Sequence, residues 1–452
     1  MVVFAVAVTV LAYISVGLGA DGNVPSGVVW YGAGLGALFL VAHLTVRRVA
    51  PYAEPLLLPI AALLNGLGLV MIHRIDLATA NKAQRLSSVV PPGNAGLQLA
   101  WTAIGITLFV VTLVVIRDHR TLARYTYTAM ALGLVLLLLP ALLPASLSEV
   151  NGARIWIHLG PLSFQPGEIA KIVLVVFFAA YLVGKRELLS LAGRRFAGLE
   201  LPRARDMGPV LLAWGATLAI LIRESDLGTA LLFFGFFLVM LYVATQRASW
   251  LLIGLGLFCV GALLASVVVS HVQERVDIWL HPFADPTGNG YQLVQGLFGF
   301  ANGGIFGTGL GQGRPDLVPF ASTDFIASAF GEELGLIGLT AILVLYLLFV
   351  ERGVRAALSV RDGFGKLLAI GLAFAVALQV FVQVGGVMRL IPLTGLTLPF
   401  LSYGGSSLVS SWIIVALLLR VSDAARRPVQ PPPPAAPAGE VLAAAPTEVF
   451  RR

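Results

Sequence analysis

The stretch Gly228-Thr229-Ala230-Leu231-Leu232-Phe233-Phe234-Gly235-Phe236-Phe237-Leu238-Val239-Met240-Leu241-Tyr242-Val243-Ala244-Thr245 runs without one charged side chain. As an α-helix it covers about 27 Å, close to the thickness of a bilayer's hydrocarbon core. Inside lipid a helix satisfies every backbone polar group within its own segment, so such a run predicts a membrane span. The same test finds eleven more runs, roughly 2–19, 28–46, 56–73, 96–116, 125–144, 166–184, 208–223, 250–271, 331–351, 366–387 and 405–421. The expected fold is an all-α polytopic membrane protein of about twelve transmembrane helices. Composition agrees: of 452 residues 58% are hydrophobic and 12% charged, about half the charged share of a soluble domain. A cytosolic enzyme and a nucleic-acid-binding module are excluded. The lone Cys259 lies in an apolar run, which rules out an intramolecular disulfide and a cysteine metal cluster.

The net charge of +7 is then a matter of orientation. Lys and Arg concentrate in cytoplasmic loops, and the twelve spans sort 21 of the 30 cations to one side. These are Arg47 and Arg48, Arg117 to Arg124, Lys185 to Arg205, Arg247, Arg352 to Lys366, and the cations from Arg420 onward. The opposite side holds Arg74, Lys82, Arg85, Arg154, Arg223, Arg275, Arg314 and Arg389, and Lys171 falls within a span. Both termini are therefore expected in the cytoplasm. Met1 runs into Val2-Val3-Phe4 with no basic n-region, so the first span is expected to be retained rather than cleaved as a signal peptide. From Pro428 onward the Pro/Ala-rich composition cannot bury a core and predicts a disordered tail.

Ionisable residues at membrane depth are costly and mark function by default, and here they gather at the outer ends of spans. Glu168 and Lys171 lie three residues apart, on one helix face, and can pair; Pro166 ahead of them suits a helix start. Glu224 and Asp226 precede the eighth span, Glu332 and Glu333 open the tenth, and Arg154, Arg223 and Arg389 lie at or near span ends. The mixture suits an anionic headgroup and a carboxylate base, although interfacial ion pairs and helix caps explain any single residue equally. The longest outer loop, about 272–330, carries Asp277, Asp285-Pro286-Thr287-Gly288-Asn289-Gly290-Tyr291-Gln292, Asp316 and Thr323-Asp324-Phe325, and its Leu293–Ala301 stretch reads as an interfacial or re-entrant helix. Asp-Pro before a Gly-rich turn is also ordinary loop chemistry. Pro392 to Ser407, with two prolines and Gly404-Gly405, predicts non-helical backbone, which membranes tolerate only under protein or a watery cavity. The N–H groups at the start of the last helix then suit an anion, and capping by Ser406 or Ser407 is the alternative.

At these residues the sequence resembles the SEDS family, the FtsW, RodA and SpoVE proteins of bacterial cell-wall synthesis, over about 56–421. The resemblance is carried by Asn151-Gly152-Ala153-Arg154 with Phe164-Gln165-Pro166, Asp226-Leu227-Gly228-Thr229-Ala230, Asp285-Pro286 with Gly290-Tyr291-Gln292, Thr323-Asp324-Phe325-Ile326, Glu332-Glu333-Leu334-Gly335, and Pro399-Phe400 with Ser402-Tyr403-Gly404-Gly405-Ser406-Ser407. Their order and spacing make the combination specific. It departs from the family pattern at Gly167, Ser225 and Ser322, where Ser, Pro and His are common. Residues 1–50 then form two helices beyond a ten-helix core at 51–427, and 428–452 the tail.

The resemblance implies a multi-pass protein of the bacterial cytoplasmic membrane that polymerises lipid II into glycan strands at the outer face, beside a class B penicillin-binding protein that crosslinks the product. Asp285 corresponds to the family's essential aspartate and would take the proton of the acceptor hydroxyl. Arg154, Lys171, Arg223 and Arg389 are the candidate cations for the diphosphate leaving group, with Glu168, Asp324 and Ser406 as further substrate-binding candidates. A divalent cation, Mg or Mn, would serve the same end, and no ligand spacing specifies its site. A lipid II flippase and a non-catalytic scaffold for the crosslinking enzyme are the rival readings. The extra spans and His73-Arg74-Ile75-Asp76 incline the reading toward RodA-like elongation rather than FtsW-like division.

Overall fold

The computed structural model describes residues 1–150, 153–159, 162–185, 194–196, 199–201, 204–223 and 226–428. Among them the regular structure is helical, apart from three two-stranded hairpins pairing Glu149–Val150 with Ala153–Arg154, Ile157–Leu159 with Leu162–Phe164, and Arg194–Phe196 with Leu199–Leu201. The helices are α1 (Val2–Asp21), α2 (Val28–Val49), α3 (Leu57–Arg85), α4 (Ala95–Val115), α5 (Thr126–Leu142), α6 (Pro166–Gly184), α7 (Ala204–Arg223), α8 (Leu227–Thr245), α9 (Ser249–Val268), α10 (Ser270–Leu280), α11 (Tyr291–Gly303), α12 (Ile326–Ser359), α13 (Gly363–Val387) and α14 (Gly405–Arg426). Among the described residues eleven helical segments are long and apolar enough to cross a membrane, against about twelve expected; the apolar part of α7, Leu211–Ile220, is shorter than that test requires.

Local sequence sets the helix starts. Pro166 occupies the first turn of α6, where its missing N–H costs nothing, and Glu168 complements the positive end of the helix dipole. Asp226 caps α8 by accepting from the Thr229 N–H, and Asp362 caps α13 by accepting from the Gly365 N–H.

Three expectations change. The third span, read as 56–73, continues to Arg85, because a helix keeps its backbone bonds beyond the apolar run that counting detects. The tenth, read as 331–351, extends over Ile326–Ser359 and is interrupted at Gly335 (φ 67°, ψ −172°). The segment at 272–330, read as a loop with one helix at Leu293–Ala301, holds that helix as α11 and in addition most of α10 and a 3-10 turn at Pro315–Leu317. The broken helix and this segment satisfy each other's backbone. Thr308 N donates to Glu332 O, Gly309 N to Glu333 O, Leu336 N to Gly304 O and Ile337 N to Ile305 O, at 2.9–3.2 Å, so two carbonyls and two N–H groups at the interruption find partners within the protein.

Among the described spans α3, α6, α13 and α14 are the most buried and form the centre. Trp412 of α14 is fully buried, ringed by Phe39, Phe109 and Phe400 at 5.6–6.0 Å, and its indole N–H donates to Asn65 Oδ1. The N-terminal pair belongs to this bundle. Phe39 brings α2 to Trp412, while Tyr13 of α1 stacks on Tyr31 of α2 with ring centres 4.4 Å apart and also meets His73 of α3. In contrast, α9 is exposed along most of its length and touches the rest chiefly through Phe258 on Phe234 and Gly254 against Leu238.

Candidate functional site

Asp285 sits in the turn between α10 and α11. Its carboxylate accepts the N–H groups of Gly288 (2.9 Å) and Asn289 (3.0 Å), and Gly290 N closes on its carbonyl at 3.1 Å. Gly290 is required by packing, since a Cβ there would lie 2.3 Å from Pro282 O. The Asp-Pro-Thr-Gly-Asn-Gly run is thus a turn locked by its own first side chain. The same carboxylate is exposed, and an ionised carboxylate has lone pairs beyond the two used here. It is held in one orientation and has acceptor capacity to spare.

Between α6, α13 and α14 lies a buried polar cluster. Lys171 Nζ donates to Glu168 Oε2 and to Gln379 Oε1, both at 2.8 Å, Ser410 Oγ donates to the same Glu168 oxygen at 2.7 Å, and Gln379 Nε2 donates to Thr397 O at 2.9 Å. The expected ion pair is formed, and it is satisfied on both sides by neighbouring helices. A second group joins it through charge: Arg275 of α10 faces Asp226 and Asp324, and Asp226 also senses Glu168. Arg275 Nη1 donates to Leu393 O at 2.8 Å, which ties α10 to the non-helical segment before α14. Gln383 Nε2 donates to Asp324 O at 2.6 Å.

Burial pushes the Asp324 carboxyl up to about 6 from an ordinary 3.8, against the pull of Arg275. A carboxyl raised on folding contributes stability that is complete below its unfolded value and is lost as pH rises through its folded value. Asp324→Asn should therefore melt above wild type at about pH 7.5, with the advantage shrinking toward about pH 4. Thermal unfolding in detergent across that range checks it, and a difference independent of pH would contradict it.

The other candidates scatter. Arg154 is exposed and pairs with Glu149 at 3.0 Å across its hairpin. Arg223 ends α7 and its side chain lies outside the described residues, as do Glu224 and Ser225. Ser406 is buried and accepts the Gln165 N–H at 2.7 Å, joining the starts of α14 and α6; α14 itself has Gly404 at its N-cap with no side-chain cap, so neither Ser406 nor Ser407 plays that part. Arg389 donates to two backbone carbonyls of α10. Glu333 is fully committed: it pairs with Arg74 at 2.8 Å and accepts the Gly311 N–H at 2.9 Å, while Arg74 Nη2 donates to Gly313 O at 2.7 Å. Arg275, Gln379 and Gln383 were missed. The two glutamines carry a legible signal, four residues apart on one face of an otherwise apolar span; Arg275 stood out only as one cation among those of its side. Beside α11 an apolar hollow of about 320 Å³ is lined by Leu297, Phe300, Leu336, Leu339 and Met388.

A family model described as cell cycle protein, covering FtsW, RodA and SpoVE, matches residues 55–427. The chain belongs to this family. The match begins after α1 and α2. The peptidoglycan glycosyltransferase RodA of Mycobacterium tuberculosis is 54% identical over 427 residues, covering 94% of this chain and 90% of that protein. The unmatched share of this FtsW/RodA/SpoVE chain is smaller than its N-terminal hairpin, so the relative shares at least part of it. Two solved structures align with TM-scores of 0.56 at 26% identity. One, a chain from a peptidoglycan synthase complex that coordinates polymerization and crosslinking, covers 88% of this chain and 98% of its own. The other, a variant of the Thermus thermophilus rod shape determining protein RodA, covers 82% and 97%.

Proposed function

We propose that this protein is a RodA-like peptidoglycan glycosyltransferase whose substrate is lipid II and whose base is Asp285. The observation that carries the site assignment is the exposed carboxylate held by the Gly288 and Asn289 N–H groups. In the proposed step the acceptor sugar hydroxyl attacks the anomeric carbon of the lipid-linked donor. Its proton passes to Asp285 as the bond to the diphosphate breaks, and the lipid diphosphate leaves. Among the candidate cations whose side chains are described, Arg154 is the accessible one for that leaving group, because Lys171 is buried in its own pair and Arg389 is occupied by carbonyls. The hollow beside α11 is apolar and suits the start of the lipid chain. Glu168, Lys171, Asp324 and Ser406 act as the frame around the site.

The chain is a multi-pass membrane protein. We place it in the bacterial cytoplasmic membrane with both termini in the cytoplasm, which puts Asp285 at the outer face. A class B penicillin-binding protein is the proposed partner, on the strength of the likeness to a synthase complex that joins polymerization to crosslinking. Among the described residues no group of three or more His, Cys, Asp or Glu is placed to hold a metal ion. In this proposal Mg or Mn enters as a counter-ion carried by the diphosphate.

The test is glycan formation from lipid II by the purified full chain, with and without the partner, and with chelator or added Mg. Polymer is the expected product. Headgroup movement across vesicles without polymer would point to a flippase, and partner binding with neither activity to a scaffold.

A further inference from the structure

α10 and the segment that follows α13 are joined by a reciprocal set of hydrogen bonds that the proposed chemistry does not use. Arg389 Nε donates to Trp279 O at 2.7 Å and its Nη2 to Leu280 O at 2.6 Å, while the Trp279 indole N–H donates back to Arg389 O at 3.1 Å. The two carbonyls belong to the last turn of α10, where backbone acceptors have no partner within the helix. A guanidinium there also complements the negative end of the helix dipole. Five residues beyond Leu280 comes Asp285.

The backbone of Arg389 makes the arrangement informative. It lies at φ 61°, and Leu390 N and Ile391 N both turn back onto Gly385 O. Glycine occupies such a conformation without strain, whereas a residue with a Cβ does not. Strain of this kind persists where the surroundings over-determine it. What arginine adds over glycine at this position is its side chain, and two of its three nitrogens are spent on α10.

We propose that Arg389 is a positioning residue that clamps the end of α10, and through it the turn carrying Asp285, rather than a ligand of the substrate diphosphate. The effect on turnover rests on the glycosyltransferase reading above; the clamp itself does not.

Four variants of the full-length chain test it: Arg389→Gly, Arg389→Lys, Trp279→Phe, and Arg389→Gly with Trp279→Phe. Arg389→Gly removes the clamp and relieves the backbone, which protects folding. Two readouts are taken on each protein, amide hydrogen exchange over residues 281–290 and polymerisation at varied lipid II. For Arg389→Gly the Gly288 and Asn289 amides should exchange about tenfold faster, and kcat should fall about tenfold with KM changed less than about twofold. Lysine, with one donor group in place of the fork, should restore part of both. Since the two side chains form one unit, the double variant should be no worse than Arg389→Gly by more than about twofold. Unchanged exchange in Arg389→Gly would overturn the clamp. So would a severalfold rise in KM at constant kcat, which would make Arg389 a substrate ligand. If wild type forms no polymer the functional reading fails, and the exchange data still decide the clamp.

Discussion

Asp285→Asn should retain no more than about 1% of wild-type polymerisation, since a positioned general base contributes about 10²–10⁴-fold. The substitution is nearly isosteric. Asparagine keeps one acceptor oxygen for the Gly288 or Asn289 N–H, and asparagine is itself at home in such turns. The turn should therefore survive, and thermal unfolding within a few degrees of wild type would show that it had. What is lost is the basic lone pair. If the variant polymerises as wild type does, Asp285 is a turn residue only and the assignment of the base fails. Loss of activity together with loss of the folded state would implicate the turn, and Asp285→Glu, which restores a carboxylate on a longer arm, then separates geometry from basicity.

Gly335→Ala should destabilise the protein by about 3 kcal/mol or more, combining left-handed strain of about 1–2 kcal/mol with overpacking of about 1–3 kcal/mol. Gly335 lies at φ 67°, and an added Cβ would stand 2.2 Å from Gly307 N and 2.5 Å from Ile305 O. Both obstacles are backbone, and both belong to the turn segment whose N–H and C=O groups cover the break in α12. A shift that relieves the clash uncovers those groups at membrane depth, where each unsatisfied group costs several kcal/mol. The expected observation is a lower unfolding temperature in detergent and a smaller monodisperse fraction on size exclusion. A melting curve matching wild type would mean that the break tolerates a side chain and that its geometry is not required.

Most of the bundle is legible in the sequence because membrane spans announce themselves: an uncharged run such as Gly228–Thr245 has few structural alternatives. The ends of spans are less legible, since Arg74 and Lys82 stop an apolar count but do not stop α3. The site divides the same way. Glu168 with Lys171 follows from helix spacing, and the turn at Asp285 from its Asp-Pro and glycines. The bonds from Arg275 to Leu393, from Gln165 to Ser406 and from Arg389 to Trp279 each join residues more than a hundred apart in the chain, and no local pattern reports such contacts. Polar residue type at a span end marks a place of interest without distinguishing a group that binds substrate from one that holds two helices together.

α9 faces protein on little of its circumference, and it leads through Val269 into α10 and then to Asp285. A helix with few protein neighbours takes its tilt from matching its apolar length to the surrounding hydrocarbon, at a cost of fractions of a kcal/mol per Å of mismatch. Lipid acyl-chain length is accordingly a mechanical boundary condition on the start of α10, while the end of α10 is held by Arg389 and the far side of the Asp285 turn by α11.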